Sequence, residues 1–327
     1  MRSILIGSVE STKVALETLI EAGVPPAAVF SPSLKLAHLN SDFVDLSPIC
    51  NKYSLTIHRF NNINDPAIIA EISKYCPDIL FVIGLSQIVG QELLSVAPLG
   101  ALGFHPSALP KNRGRAVIPW TIILQLKETG STLFWLDEKV DHGPIALQRT
   151  FFIDPEETAK SLIEKHLKAL KDMLLELIPK LHKGIYPAEP QNEAEATWCA
   201  RRTPADGLID WSSPAHKIWT LIRAVGEPYP GAFTFYRGQK VIIWEADYIG
   251  EAPFYGLPGQ IQLFQPGGAL VQCGDGKHIL LKIAQKEGYA KQKANELFTK
   301  LHSVLGFNIL DAYMELKSLK ERSSINE

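Results

Sequence analysis

Short apolar runs alternate with helical patterns through the first half of the chain, whereas Gly- and Pro-punctuated apolar runs fill its last third. Ser3 to Gly7, Ala28 to Ser31, Asp78 to Gly84 and Ala101 to Phe104 read as strands, with Val9 to Glu21 and Pro66 to Lys74 as helices among them. Strands alternating with helices of roughly 10–15 residues predict a parallel sheet wound on both faces. Val117 to Lys127 reads as a helix, and Ser131 to Leu136 and Ile145 to Ile153 as further strands. Asp154-Pro155-Glu156-Glu157 predicts a helix start, with Asp154 as N-cap and Pro155 at the first helical position. Leu162, Ile163, Leu167, Leu170, Leu174, Leu177 and Leu181 then form an apolar stripe suited to covering a sheet.

Beyond Lys183-Gly184 the pattern breaks, and Pro187 and Pro190 mark an irregular stretch that reads as a linker. Ser213 to Val225 is helical, but Phe233 to Tyr236, Lys240 to Asp247, Gly259 to Phe264, Ala269 to Val271 and Lys277 to Ala284 are short strands. The expected architecture is α/β: a Rossmann-like, doubly wound, mostly parallel sheet over 1–185, a linker over 186–204, and a smaller β-rich, barrel-like domain over 205–327.

Composition narrows the function. The 327 residues carry 46% hydrophobic and 21% charged side chains and a net charge of -2, which is ordinary globular chemistry rather than a surface built for phosphates. The opening Met1 to Gly7 lacks the makings of a signal peptide, and no run approaches a membrane span. Cys50, Cys76, Cys199 and Cys273 form no C-x-x-C pair, so neither a disulfide framework nor a zinc site is expected and a cytoplasmic location is. No His, Cys or carboxylate set shows metal-ligand spacing.

The first strand is followed by Gly7-Ser8-Val9-Glu10, with one glycine where a dinucleotide-binding turn needs three, and no G-x-S-x-G elbow is present. What remains is Gly103-Phe104-His105-Pro106-Ser107-Ala108-Leu109-Pro110-Lys111-Asn112-Arg113-Gly114-Arg115, answered by Val140-Asp141-His142-Gly143. A strand ending at Phe104 delivers His105 to the carboxyl edge of the sheet, where open α/β folds build ligand sites. Taken singly, His105 is an ordinary loop histidine and Asp141 ordinary turn chemistry. Jointly they are the imidazole and carboxylate of acyl transfer. His142 is expected to point elsewhere. Lys111, Arg113 and Arg115 form a candidate cradle for an anionic substrate group, the alternatives being a solvated loop or an Arg clamp on a neighbouring carboxylate, and Ser107 on the same loop is a further substrate-binding candidate.

From Asp78 to Gln148 the chain resembles the formyltransferases that use 10-formyltetrahydrofolate, among them methionyl-tRNA formyltransferase and the sugar N-formyltransferases. The resemblance rests on Pro77-Asp78, on His105 to Gly114 and on the Val140 to Gly143 turn. It extends to Trp198 to Gly207, Ile222-Arg223-Ala224 and Pro228 to Phe233, which look like that family's accessory C-terminal domain. The resemblance implies the formyltransferase fold, His105 and Asp141 as catalytic groups, and 10-formyltetrahydrofolate as co-substrate without a metal. It places the folate along Leu85, Ser86, Gln87 and Ile88 and along Leu136, Asp137 and Val140. Where the family carries a catalytic Asn, however, this chain has Gly103. Losing such an oxyanion donor typically costs about 2.7–4 kcal/mol. Asn112, or a backbone N–H freed by Gly103, is the expected replacement.

For the acceptor, residues 205–327 hold 13 Lys plus Arg against 13 Asp plus Glu, and Ser31 to Leu46 lacks a basic run, so tRNA is disfavoured though not excluded. The expected acceptor is a small-molecule primary amine, that of a nucleotide-linked amino sugar. Methionyl-tRNA formyl transfer and a non-catalytic folate or nucleotide-sugar binding module are the competing readings, and a homodimer is compatible with the sequence.

Overall fold

Four near-continuous apolar runs become the parallel centre of a seven-stranded sheet because both faces of that sheet are covered. In a computed structural model describing residues 1–39, 42–307, 312–314 and 316–317, the strands are β1 (Ser3–Ile6), β2 (Ala28–Pro32), β3 (Ile57–Phe60), β4 (Ile79–Val82), β5 (Ala101–His105), β7 (Glu128–Trp135) and β8 (Ile145–Phe152). They lie in the order β3-β2-β1-β4-β5-β7-β8; β1 to β5 run parallel, and β7 and β8 are antiparallel additions. Two short strands, β6 (Arg113–Gly114) and β9 (Trp198–Cys199), pair in parallel as a separate ladder.

Side chains alternate between two cores. Leu5, Val29, Phe81, Leu102 and Leu133 pack beneath α1 (Glu10–Glu21) and the 24-residue α6 (Ala159–His182), whereas Ile4, Ile6, Phe30, Leu80, Val82 and Ala101 pack on the opposite face. Helices α3 (Pro66–Ser73) and α4 (Gln91–Leu94) contribute Ile72 and Leu93 to that second core. Shorter α2 (Ser47–Lys52) and α5 (Val117–Ile123) fill connections.

Several boundaries differ from the sequence expectation by one to three residues, β7 starting at Glu128 rather than Ser131 among them, and two helix ends differ by about a turn. Helix α6 begins at Ala159 with Thr158 as its cap, not at Asp154, because residues 154–157 close a turn of their own (Glu157 N to Asp154 O, 2.9 Å). Buried Glu157 pins that turn by accepting from the Asp154 N–H and Ser161 Oγ and pairing with Lys165, while Thr158 Oγ1 accepts from Ser161 N at 3.1 Å. Helix α5 ends at Ile123 rather than Lys127, since Gln125 takes a left-handed conformation and turns the chain into β7.

The chain divides into two units, Met1–Arg202 and Thr203–Glu327. Residues 186–202, expected to link domains, therefore belong with the first unit: Ile145 and Glu189 exchange backbone hydrogen bonds, and Trp135 Nε1 donates to Pro187 O at 2.7 Å. The second unit holds α7 (Ala215–Ala224), β10 (Ala232–Tyr236), β11 (Gln239–Gly250), β12 (Ile261–Gln265), β13 (Gly268–Gln272), β14 (His278–Lys286), β15 (Gln292–Lys293) and α8 (Ala294–Leu297). Its antiparallel strands follow the order β10-β11-β14-β13-β12, and residues 302–306 bridge the two outer strands, His302 N donating to Ile261 O at 3.0 Å and Gly306 N to Phe235 O at 2.9 Å, which gives the unit its barrel-like form. Asn40 and Ser41, within the Ser31 to Leu46 stretch, and 308–311, 315 and 318–327 of the expected C-terminal domain lie outside the described residues. No helix among the described residues is long and apolar enough to cross a membrane.

Candidate active site

Strand order reverses between β1 and β4, and β5 lies beside β4, so the carboxyl end of β5 opens next to the crevice that doubly wound sheets use for ligands. The crevice itself is tight at the first turn. A Cβ on Gly7 would stand 1.9 Å from Ile83 O, and Thr12 Oγ1 donates to that carbonyl at 2.5 Å. Chemistry gathers instead at the last residue of β5, His105, which is 5% exposed.

The loop after His105 folds back on itself. Ser107 Oγ donates to Lys111 O at 2.6 Å, Thr132 Oγ1 donates to Ser107 O, and Gln148 Nε2 donates to Leu109 O. This returns Asn112 beneath the imidazole, whose Nε2 lies 2.8 Å from Asn112 O. A carbonyl oxygen only accepts, so Nε2 carries a hydrogen and Nδ1 is the ring nitrogen turned away from this bond. Nδ1 stands 3.5 Å from Asp141 Oδ2.

Asp141 lies on the β7–β8 connection with φ of 52°, a left-handed conformation that Asp tolerates. The turn continues through Gly143, where a Cβ would meet Trp135 O at 1.8 Å, so only glycine lets the chain pass. Gly114 N donates to Asp141 Oδ2 at 2.8 Å and aims the carboxylate. His105 and Asp141, 36 positions apart in the sequence, thus face each other across one edge of the sheet.

Other expected site residues lie where their own bonds dictate. Arg113 is 1% exposed and spends its guanidinium on Gln191 and Glu193 beneath the Trp198 ring, which is the clamp alternative and not an open anion cradle. Ser107 is fully buried, its hydroxyl used within the loop, and Arg115 Nη2 donates to Ser86 O at 2.8 Å. Lys111 is exposed. Leu85 and Leu136 pack on the same core face, and Val140 and Ile88 are 43% and 66% exposed, so these four offer apolar surface. Gln87 donates to Asn61 O and accepts from Ile63 N, while Asp137 is paired with His142 at 2.5 Å; both side chains are spent within the protein. His142 Nε2 faces Glu193 at 3.6 Å, away from the His105 pair. The Arg113 guanidinium holds Glu193 below the ordinary carboxylate range.

The space an Asn side chain at position 103 would need is filled. A Cβ on Gly103 would come within 2.6 Å of Leu136 Cδ2 and 3.1 Å of Phe134 Cε1. Gly103→Asn is therefore expected to lower stability by about 1–3 kcal/mol through overpacking. Adding Leu136→Ala is expected to recover part of that loss; thermal melts of the single and double variants measure it, and equal melting temperatures for the single variant and the wild type would contradict the fit.

A second buried histidine escaped the sequence reading. His166 on α6 lies against Phe151, its Nδ1 2.7 Å from Ser131 Oγ and its Nε2 without a hydrogen-bond partner. Burial first, then the charges of His105 and Lys165, push its pKa down to about 3. The unfolded ring takes a proton near 6.5 while the folded one refuses it, so stability is complete above about pH 6.5 and falls toward pH 3 by about 1.4 kcal/mol per unit. His166→Gln, which retains a partner for Ser131 but does not titrate, is expected to flatten that acid limb in melts run between about pH 7 and pH 5. An unchanged slope would point to other groups.

Among the described residues no group of three or more His, Cys, Asp or Glu is placed to hold a metal ion. The formyl transferase family model matches residues 10–178, and the model of the formyl transferase C-terminal domain matches residues 201–302. HypX from Aquifex aeolicus in complex with tetrahydrofolic acid superposes with a TM-score of 0.64 at 17% identity, over 91% of this chain and 47% of HypX. This chain thus spans about half the length of HypX. The N-formyltransferase from Helicobacter canadensis, in complex with folinic acid and dTDP-3-aminofucose, matches with a TM-score of 0.61 at 19% identity over 88% and 99% of the two chains. A sugar N-formyltransferase from Shewanella sp FDAARGOS_354 matches with a TM-score of 0.60 at 17% identity over 74% and 96%.

Proposed function

This chain belongs to the formyl transferase family, and from that premise we propose that it moves the formyl group of 10-formyltetrahydrofolate to the primary amine of a nucleotide-linked amino sugar. The observation that carries the reading is the His105–Asp141 pair at the carboxyl edge of the sheet. The dTDP-3-aminofucose and folinic acid bound to the Helicobacter canadensis protein support the choice of acceptor and co-substrate. The even charge of residues 205–327 gives no support to tRNA.

Formyl transfer between two nitrogens makes one C–N bond, breaks another, and carries one proton from the acceptor nitrogen to the departing one. Asp141 draws that proton from the incoming amine, His105 Nδ1 holds it beside the carboxylate, and the same position releases it to the departing nitrogen. When the ring is neutral, the bare Nδ1 and Asp141 Oδ2 set two acceptors face to face, and a proton on Nδ1 removes the repulsion. The pair is thereby suited to store one proton during turnover. Leu85, Ile88, Leu136 and Val140 supply apolar surface for the folate ring, whose polar edge is left to backbone groups.

Asn112 takes the role left open by Gly103 in this scheme. Its Oδ1 accepts from Thr197 Oγ1 at 3.3 Å, which leaves Nδ2 as the donor for the oxyanion. Because Asn112 has φ of 58°, glycine is the truncation that avoids backbone strain. Asn112→Gly is expected to reduce kcat about 100-fold; an unchanged kcat would assign the donor to a backbone N–H.

The deciding experiment incubates the purified chain with 10-formyltetrahydrofolate and dTDP- and UDP-linked amino sugars, with formyl-acceptor tRNA in parallel. A sugar product heavier by one formyl group is expected by mass spectrometry. Formylation of the tRNA alone would overturn the acceptor, and folate binding without any formylated product would favour a binding module.

A further inference from the structure

We infer that Gln191 is the positioning residue of this site, fixing Asp141 from a segment that by sequence looks like linker; the inference rests on the function proposed above. Gln191 Nε2 donates to Asp141 O at 3.0 Å and to Gly143 O at 2.8 Å. Both hydrogens of the amide are thus spent on the turn that carries the carboxylate. Its Oε1 accepts from Arg113 Nη2 at 2.7 Å and from Arg113 Nε at 3.3 Å. The residue after Arg113 is Gly114, whose N–H holds Asp141 Oδ2.

These bonds close a ring: the backbone of Asp141, the Gln191 amide, the Arg113 side chain, the Gly114 N–H and the carboxylate of Asp141. Each end of Asp141 is tied to the same two-residue strand β6. That strand is itself held by the segment containing Gln191, since Arg113 N donates to Thr197 O at 2.8 Å, Asn112 N donates to Thr197 Oγ1 at 2.8 Å, and β6 pairs with β9. The guanidinium is covered by Trp198 and paired with Glu193, so Arg113 is fixed and passes that rigidity to Gln191. Residues 187–199 form a strap around both halves of the His105–Asp141 pair, because Asn112 O on the same strapped loop receives His105 Nε2.

Glutamine is chemically required. A carboxylate at this position would keep the Arg113 contact but set acceptors against two carbonyl oxygens, and an aliphatic side chain would lose all of these bonds. A displaced catalytic carboxylate costs rate more than affinity, with a shift near 1 Å worth about 100-fold.

The test compares wild type, Gln191→Met and Gln191→Glu in steady-state formyl transfer, across pH, with folding followed by circular dichroism. Both variants are expected to lose about 10–100-fold in kcat. The KM values for folate and amino sugar should stay within about threefold and the pH profile of kcat should shift. Gln191→Met preserves volume, and Gln191→Glu preserves the pairing with Arg113, so either folded variant decides the question. A folded variant with kcat and pH profile like wild type overturns the inference. A variant that is merely less stable, with normal kcat per folded molecule, overturns it also. Absence of formyl transfer by the wild-type protein would instead count against the proposed function.

Discussion

Replacing His105 with alanine is expected to lower the turnover of formyl transfer by at least about 100-fold. The ring lies at the end of β5 with one nitrogen on Asn112 O and the other toward Asp141, so its removal takes away the only imidazole facing that carboxylate among the described residues. The loop beyond it should keep its course, because Ser107, Thr132 and Gln148 hold that loop through bonds that do not involve the ring. Circular dichroism should accordingly match wild type while the steady-state rate collapses. A rate within a few-fold of wild type in a folded His105→Ala protein would remove the imidazole from the mechanism.

Asp141→Asn carries the second large effect. Asparagine is isosteric, tolerates the left-handed φ of 52°, and can still accept the Gly114 N–H through its carbonyl oxygen, so the turn should survive intact. What disappears is the charge that draws a proton from the acceptor amine and balances a protonated His105 Nδ1. The expected loss is again about 100-fold or more in kcat, with binding of both substrates little changed. Asp141→Glu retains the charge but displaces it, and should fall between the two. If Asp141→Asn turned over like wild type, the carboxylate would be an anchor for Gly114 and nothing more.

Both expectations follow from residues that the sequence already marked. His105 stood out because a strand ending beside it puts it at a carboxyl edge, and Asp141 because it lies on the connection between two later strands. Their separation was not legible, since it depends on how β5 and β7 pair in register, with His105 opposite Thr132. Arg113 shows the limit more sharply. As a basic residue on a loop beside a catalytic histidine it has the pattern of an anion ligand, yet it is buried under Trp198 against Glu193, 80 positions away. Gln191 carried no signal of its own, because a lone glutamine between prolines and acids has neither periodicity nor unusual chemistry.

Periodicity and turn chemistry, which are local, were enough to give this chain its alternating α/β first part, its β-rich last part and the candidate pair His105 and Asp141. Tertiary structure alone decided that residues 187–199 bind the first unit, that Arg113 is a clamp, that Leu136 and Phe134 occupy the space beside Gly103, and that Gln191 joins the Asp141 turn to β6. The reason is range: a hydrophobic period or a cap is set by neighbours a few residues apart, whereas a buried polar group takes whichever partner the packed chain brings within about 3 Å, from any distance along the sequence.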